Sequence, residues 1–192
     1  ARLTALVALS AAGLHALRNQ GRRAVVDALR QHLAAGFESL AIPRAWRLCR
    51  QLPWNSQGKM TQADFEAAAG ARPRQPLTAP LQAAATADER RYRLEIPCDL
   101  AYFAGHFPTA PVVPGVAQIG WALSLAQRDL LPDLRFAGME ALKFQRLLRP
   151  GDVAELALRW DGAKRKLYFS YTLDASPCSS GRVLHGDDHG GA

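Results

Sequence analysis

The feature that most constrains this chain is a helical segment running from about Val113 to Leu130. Val116, Ile119, Trp121, Ala122, Leu123, Leu125 and Ala126 make it apolar nearly all round. A helix apolar on every side needs other structure wrapped about it. It is introduced by 105-GHFPTAPVVPGV-116, in which one histidine stands ahead of three prolines and a glycine. Each proline locks φ, so the turn is stiff and the approach of His106 is fixed.

The wrapping material lies on both sides. The segments 90-RRYRLEI-96, 135-RFAGMEALKFQRLL-148, 153-VAELALRW-160, 165-RKLYFSYTL-173 and a last one near 178-CSSGRVL-184 read as strands. Asp161-Gly162 marks a hairpin turn. The expected fold class is α+β, with an antiparallel sheet embracing one long helix in the hot-dog arrangement. Upstream, 71-ARPRQPLTAPLQAAATA-87 has three prolines, no aromatic residue and no apolar period, the pattern of a linker. The division expected is residues 1–70, a linker at 71–87, a domain at 88–185 and a disordered tail at 186–192.

In the first part, 3-LTALVAL-9 reads as a short buried strand. The segment 21-GRRAVVDALRQHLAAGF-37 reads as a helix with Val25, Leu29, His32 or Leu33, and Phe37 on one face. A strand from Trp46 to Leu52, a turn from Asn55 to Gly58 and a final helix capped by Thr61 complete this part.

Composition narrows the functions. The 192 residues are 48% hydrophobic and 21% charged, a globular balance. No run of about 18 apolar residues is present, so no membrane span is expected. The opening ARLTALVALSAAGLHAL has the look of a signal-peptide core, but a periodic helix follows directly. The expectation is a folded segment of a fragment or shortened gene product. Cys49, Cys98 and Cys178 are widely spaced, giving neither a zinc pattern nor a disulfide framework. They read as reduced thiols in the cytoplasm. The net charge of +7 comes mostly from scattered arginines, with no dense block to hold nucleic acid. A dispersed positive surface suits an acidic protein partner or a phosphate-bearing substrate.

Two resemblances rest on particular residues. The stretch 105-GHFPTAPVVPGV-116 and the strand end 138-GMEALKFQRLLRPGD-152 resemble the hot-dog 3-hydroxyacyl-acyl-carrier-protein dehydratases of bacterial fatty acid synthesis, although Leu147 stands where that family has a proline. The Gln-Ile and Trp-Ala pairs of 118-QIGWA-122 are similar to the dehydratases of aryl polyene pigment clusters. In the first part, 42-IPRAW-46 and 52-LPWNSQGKM-60 resemble the C-terminal subdomain of adenylate-forming acyl-CoA synthetases. That resemblance implies the trailing part of a synthetase–dehydratase fusion. Lys59 would be the lysine that contacts the acyl-adenylate, left without its ATP-binding partner domain.

The dehydratase resemblance implies a chemistry. Removing water from a 3-hydroxyacyl thioester needs a base for the α-proton, an acid for the leaving hydroxyl and donors for the enolate-like oxygen. Imidazole titrates near neutral pH and suits the base, here His106. The family uses the backbone N–H that corresponds to Gly115, at the start of the central helix, as its oxyanion donor. Aligned donors of this kind are worth about 3 kcal/mol each. Leu94, Phe103, Phe107, Val116 and Trp121 are candidates to line an acyl tunnel. Lys143, Arg146 and Arg149 are candidates for a basic rim that admits the phosphopantetheine arm of an acyl carrier protein, or a CoA thioester. A homodimer is implied, because sites of this fold are built across two subunits. No metal and no redox cofactor is expected, and ATP only in a full-length synthetase. The histidines of 185-HGDDH-189 read as part of a mobile tail that fixes no metal geometry.

A second departure from the family bears on the chemistry. The family's carboxylate stands fourteen residues after the histidine, where this chain has Gly120. Asp99 and Glu140 are the nearest carboxylates in sequence, and neither is on the helix. Three readings stay open: a dehydratase whose proton donor lies elsewhere, a hot-dog thioesterase or other acyl-thioester enzyme, and a non-catalytic module that binds acyl carrier or acyl-CoA.

Overall fold

The computed structural model describes residues 3–81 and 86–186. The chain divides into two units. The first is the chain up to Pro76 together with Ile96–Val112 and Arg149–Gly151; the second is Leu77–Glu95, Val113–Leu148 and the chain from Asp152 onward.

The first unit is built on a parallel strand pair, β1 (Thr4–Ala8) and β2 (Ala45–Cys49), joined by helix α1 (Ala11–Ala34). A parallel pair needs a long crossover, and the helix supplies it. Ser10 caps α1 by accepting the Gly13 N–H at 3.2 Å. The helix therefore begins ten residues before the start expected from sequence. The stretch with a signal-peptide look forms β1 and the first turns of α1. At Gly21 the helix kinks, with φ 81° and ψ 172°. A Cβ there would collide with the Pro108 carbonyl, so this close approach requires glycine. Leu17, Val25, Leu48 and Cys98 form the core, flanked by Val7, Leu9, Leu14 and Leu29. Phe37, placed by its spacing on the same face as Val25 and Leu29, is exposed. Helix α2 (Gln62–Ala69) opens with a reciprocal capping box between Thr61 and Asp64.

The second unit is a six-stranded antiparallel sheet with one helix. The strands are β3 (Leu77–Pro80), β4 (Glu89–Glu95), β5 (Phe136–Phe144), β6 (Val153–Asp161), β7 (Lys166–Leu173) and β8 (Ser176–His185), in the order β3-β4-β6-β7-β8-β5. The linker expected at 71–87 thus contains a strand. Leu77 to Pro80 pair with Tyr92 to Glu95 through backbone groups, which an apolar period does not reveal. Alternate residues of the inner strands are buried: Tyr92 and Leu94, Leu156 and Leu158, Leu167, Phe169 and Tyr171. The helix α3 (Gly115–Asp129) buries Ala117, Gln118, Ile119, Trp121, Ala122, Leu125 and Ala126. Tyr171 Oη donates to the Gln118 carbonyl at 2.7 Å, and Ser179 Oγ donates to Gln118 Oε1 at 2.6 Å. These two bonds tie α3 to the sheet. The hairpin expected at Asp161-Gly162 joins β6 to β7.

His185 ends β8 rather than lying in a free tail. Its Nδ1 accepts the Arg135 N–H at 3.1 Å, and its ring meets Trp160 edge-on at 5.6 Å. Residues 187–192, including His189, lie outside the described residues. No described helix is long and apolar enough to cross a membrane.

Candidate active site

Within the first unit, His106 follows a short 3-10 turn (Ala101–Ala104). The turn is anchored by the Ala101 N–H on the Pro73 carbonyl at 2.8 Å. His106 is half-buried, and the exposed Phe107 ring leans on it at 4.8 Å with a 59° tilt. Phe107 has φ 53°, a left-handed backbone that a bulky side chain rarely adopts. The Phe107 carbonyl accepts the Ala110 N–H at 2.9 Å, which closes the turn between Pro108 and Pro111. A strained residue beside an imidazole is an arrangement that recurs where a group must be aimed. Phe103, a tunnel candidate from sequence, is buried in this unit.

Within the second unit, Gly115 is the first residue of α3, and Pro114 at the N-cap offers no side-chain cap. The opening N–H groups of a helix have no intrahelical partner, and the helix dipole favours negative charge there. The amide of Gly115 thus has the character of an oxyanion donor. Val116, beside it, is 79% exposed. Trp121 and Leu94 are packed in the core of this unit.

Gly120 stands on α3 with open space beside it: a Cβ would meet no atom within 4 Å. The other carboxylates near in sequence are engaged. Asp99 is buried and bonded by Arg22 Nε at 2.7 Å. Glu140 accepts from Lys166 Nζ at 2.6 Å and lies 3.2 Å from an Arg182 nitrogen, which together hold its carboxyl below the usual range. Gln118 has both ends of its amide occupied, by Ser179 and by the Val113 carbonyl. Burial pushes the thiols of Cys49 and Cys178 up, away from the thiolate form, and Cys98 is a core residue.

The basic-rim candidates are divided between the units, Lys143 and Arg146 in the second and Arg149 in the first. Lys143 is exposed on β5. Arg146 donates to the Leu173 carbonyl at 3.0 Å and lies 3.6 Å from Asp174. Arg149 belongs to the first unit, where its guanidinium donates to the carbonyls of Pro111 and Arg18. Lys59 is exposed in a turn, its N–H on Asn55 Oδ1 at 2.9 Å. Other arginines of the first unit read from sequence only as scattered charge. Arg22, Arg44, Arg47 and Arg72 are spread over fifty residues of sequence, yet they line one cleft.

A six-stranded antiparallel sheet with one helix packed on it puts the second unit in the hot-dog class. The family model of ApeI-like dehydratases matches residues 82–182. The chain belongs to that family. Among solved structures, the dehydratase heterocomplex ApeI:P from Xenorhabdus doucetiae aligns with a TM-score of 0.53 and 38% identity, covering 57% of this chain and 96% of that one. An uncharacterized protein from Erwinia carotovora aligns with a TM-score of 0.50 and 31% identity, covering 58% and 98%. A 3-hydroxyacyl-[acyl-carrier-protein] dehydratase FabZ from Herpetosiphon aurantiacus is 36% identical over 93 residues, which are 43% of this chain and 66% of that protein. The chain spans about half to two thirds of the length of the curated relatives it matches.

Proposed function

We propose that the chain dehydrates a 3-hydroxyacyl thioester carried by acyl carrier protein, in fatty acid or aryl polyene-type synthesis. The observation that carries this reading is the His106 turn: a half-buried imidazole held between a 3-10 turn and three prolines, with a strained Phe107 against it. In this reading His106 takes the α-proton. The Gly115 amide receives the negative charge that develops on the thioester oxygen. The proton then returns to the leaving hydroxyl, and water departs. With Gly120 in the acid's place, either His106 makes both transfers in turn or a second residue gives the proton. Phe107 and Val116 contact the acyl chain, and Lys143 and Arg146 meet the carrier. No metal or redox cofactor takes part.

A homodimer is part of the proposal. Phe136, Met139, Leu142 and Phe144 are exposed along β5, an edge strand of the second unit. An uncovered apolar edge of this kind invites pairing with another chain. The first part is proposed as the tail of an adenylate-forming synthetase, on the strength of 42-IPRAW-46 and 52-LPWNSQGKM-60. Lys59 is vestigial in this chain. The place of action proposed is the cytoplasm.

The test is interconversion of 3-hydroxyacyl and trans-2-enoyl thioesters, on carrier protein and on CoA, with thioester hydrolysis followed in the same samples. Dehydration without hydrolysis is expected. Hydrolysis alone would favour a thioesterase, and tight binding without turnover would favour an acyl-binding module.

A further inference from the structure

The first unit contains a cleft of about 660 Å³, within the range of roughly 300–1,000 Å³ that holds small molecules. Six arginines line it, Arg22, Arg23, Arg30, Arg44, Arg47 and Arg72, against only two acids, Asp27 and Asp99. Part of this charge is engaged. Arg22 holds Asp99 and donates to the Trp46 carbonyl at 2.7 Å. Arg47 Nε donates to the Gly70 carbonyl at 2.7 Å. Arg23 and Arg30 lie on either side of Asp27, at 3.6 and 3.8 Å. Among the described residues, no hydrogen bond or ion pair occupies the Arg44 guanidinium. Guanidinium groups gathered around a concave wall repel one another and attract an anion, and their planar fork matches phosphate oxygens in pairs.

The same wall has features that bulk charge does not explain. Trp46 and Asp99 are each only 4% exposed. Trp46 Nε1 and Asp99 Oδ2 are buried polar atoms without a hydrogen-bond partner. Such atoms are rare in folded proteins because each costs desolvation with no return bond. One is a donor and one an acceptor, and both residues line the cleft. Val26 and Phe103 add an apolar floor.

We propose that this cleft binds a small phosphate ester. Its phosphate lies against the arginines, Arg44 foremost. Its body rests on Trp46 and Phe103, and a hydroxyl or amide N–H of the ligand reaches Asp99 Oδ2. The concavity and the apolar floor favour a small molecule over the acidic face of a protein. The proposal does not depend on dehydratase activity, because its readout is binding.

The test is isothermal titration of the full chain at low salt with inorganic pyrophosphate, ribose 5-phosphate and ADP. At least one of the two esters is expected to bind more tightly than pyrophosphate, which has charge but no body. ADP above ribose 5-phosphate would identify a flat base on Trp46 as part of the ligand. Arg44→Glu is expected to weaken ester binding about tenfold or more, Arg44→Gln less, and Trp46→Phe severalfold through the lost Nε1 donor. Lys164→Glu, in the second unit, is expected to leave it unchanged. Arg44 is exposed, so its variants retain the fold; thermal unfolding checks this. Failure of all three probes to bind, esters no tighter than pyrophosphate, or Arg44→Glu binding as wild type does, would each overturn the proposal.

Discussion

The ring of Phe144 fills the space that a side chain at residue 115 would need: a Cβ on Gly115 would lie 2.6 Å from Phe144 Cζ. The glycine that opens α3 is therefore fixed by packing. Gly115→Ala must push the half-exposed Phe144 ring aside or shift the first turn of α3. Overpacking of this kind costs about 1–3 kcal/mol, and the mobile ring tip places the cost at the low end. We expect Gly115→Ala to lower the unfolding free energy by that amount, seen as a lower thermal midpoint, and Phe144→Ala to relieve it in the double variant. Turnover should fall further than stability does, since the amide is displaced from its line.

Gly120 is the opposite case. Its surroundings are open, and a Cβ there would meet no atom within 4 Å. In a helix interior, glycine is about 1 kcal/mol less favourable than alanine, and most other residues lie between the two. Gly120→Glu should therefore unfold no more easily than wild type. If proton donation limits the rate, this variant gains turnover, with the added rate lost as the new carboxyl loses its proton. A pH–rate profile of the two proteins side by side measures this.

Two tyrosines make alkaline stability predictable. Burial, and then the 2.6 Å bond from Tyr92 Oη to Asp129, push the Tyr92 phenol up to about 12. In the unfolded chain it titrates near 10. Between about pH 10 and pH 12 the unfolded state holds fewer protons than the folded one, so stability falls as pH rises. The contribution is fully present below about pH 10. Tyr171, wholly buried, is also pushed up and adds a second slope of the same sign. Tyr92→Phe should reduce, but not abolish, the alkaline decline in urea midpoint.

The second unit was largely legible in the sequence because its elements are strongly patterned. The all-apolar face of α3 and the alternation in β6 and β7 reflect direct burial of side chains. What escaped depends on backbone or on distant partners. The strand β3 has exposed side chains throughout and exists through its pairing with β4. The first turns of α1 are masked by glycines at 13 and 21, the second of which is needed only because Pro108 comes close. His185 is held by Arg135 and Trp160, fifty and twenty-five residues away in sequence. The assignment of 96–112 to the first unit rests on contacts such as Arg22 with Asp99, 77 residues apart, which no local pattern encodes. For the candidate site, the motif singles out His106 and Gly115 as the residues to test. It did not show that Arg149 is bound to two carbonyls.

In the proposed function the stiff turn aims a catalytic base. The most direct measurement compares wild type with His106→Ala and His106→Gln in the hydration of a trans-2-enoyl carrier-protein thioester, with carrier binding measured on the same samples. Both variants are expected to bind the carrier as wild type does and to lose turnover by at least about a hundredfold, the usual scale of a general base. Turnover that survives in His106→Ala would contradict it.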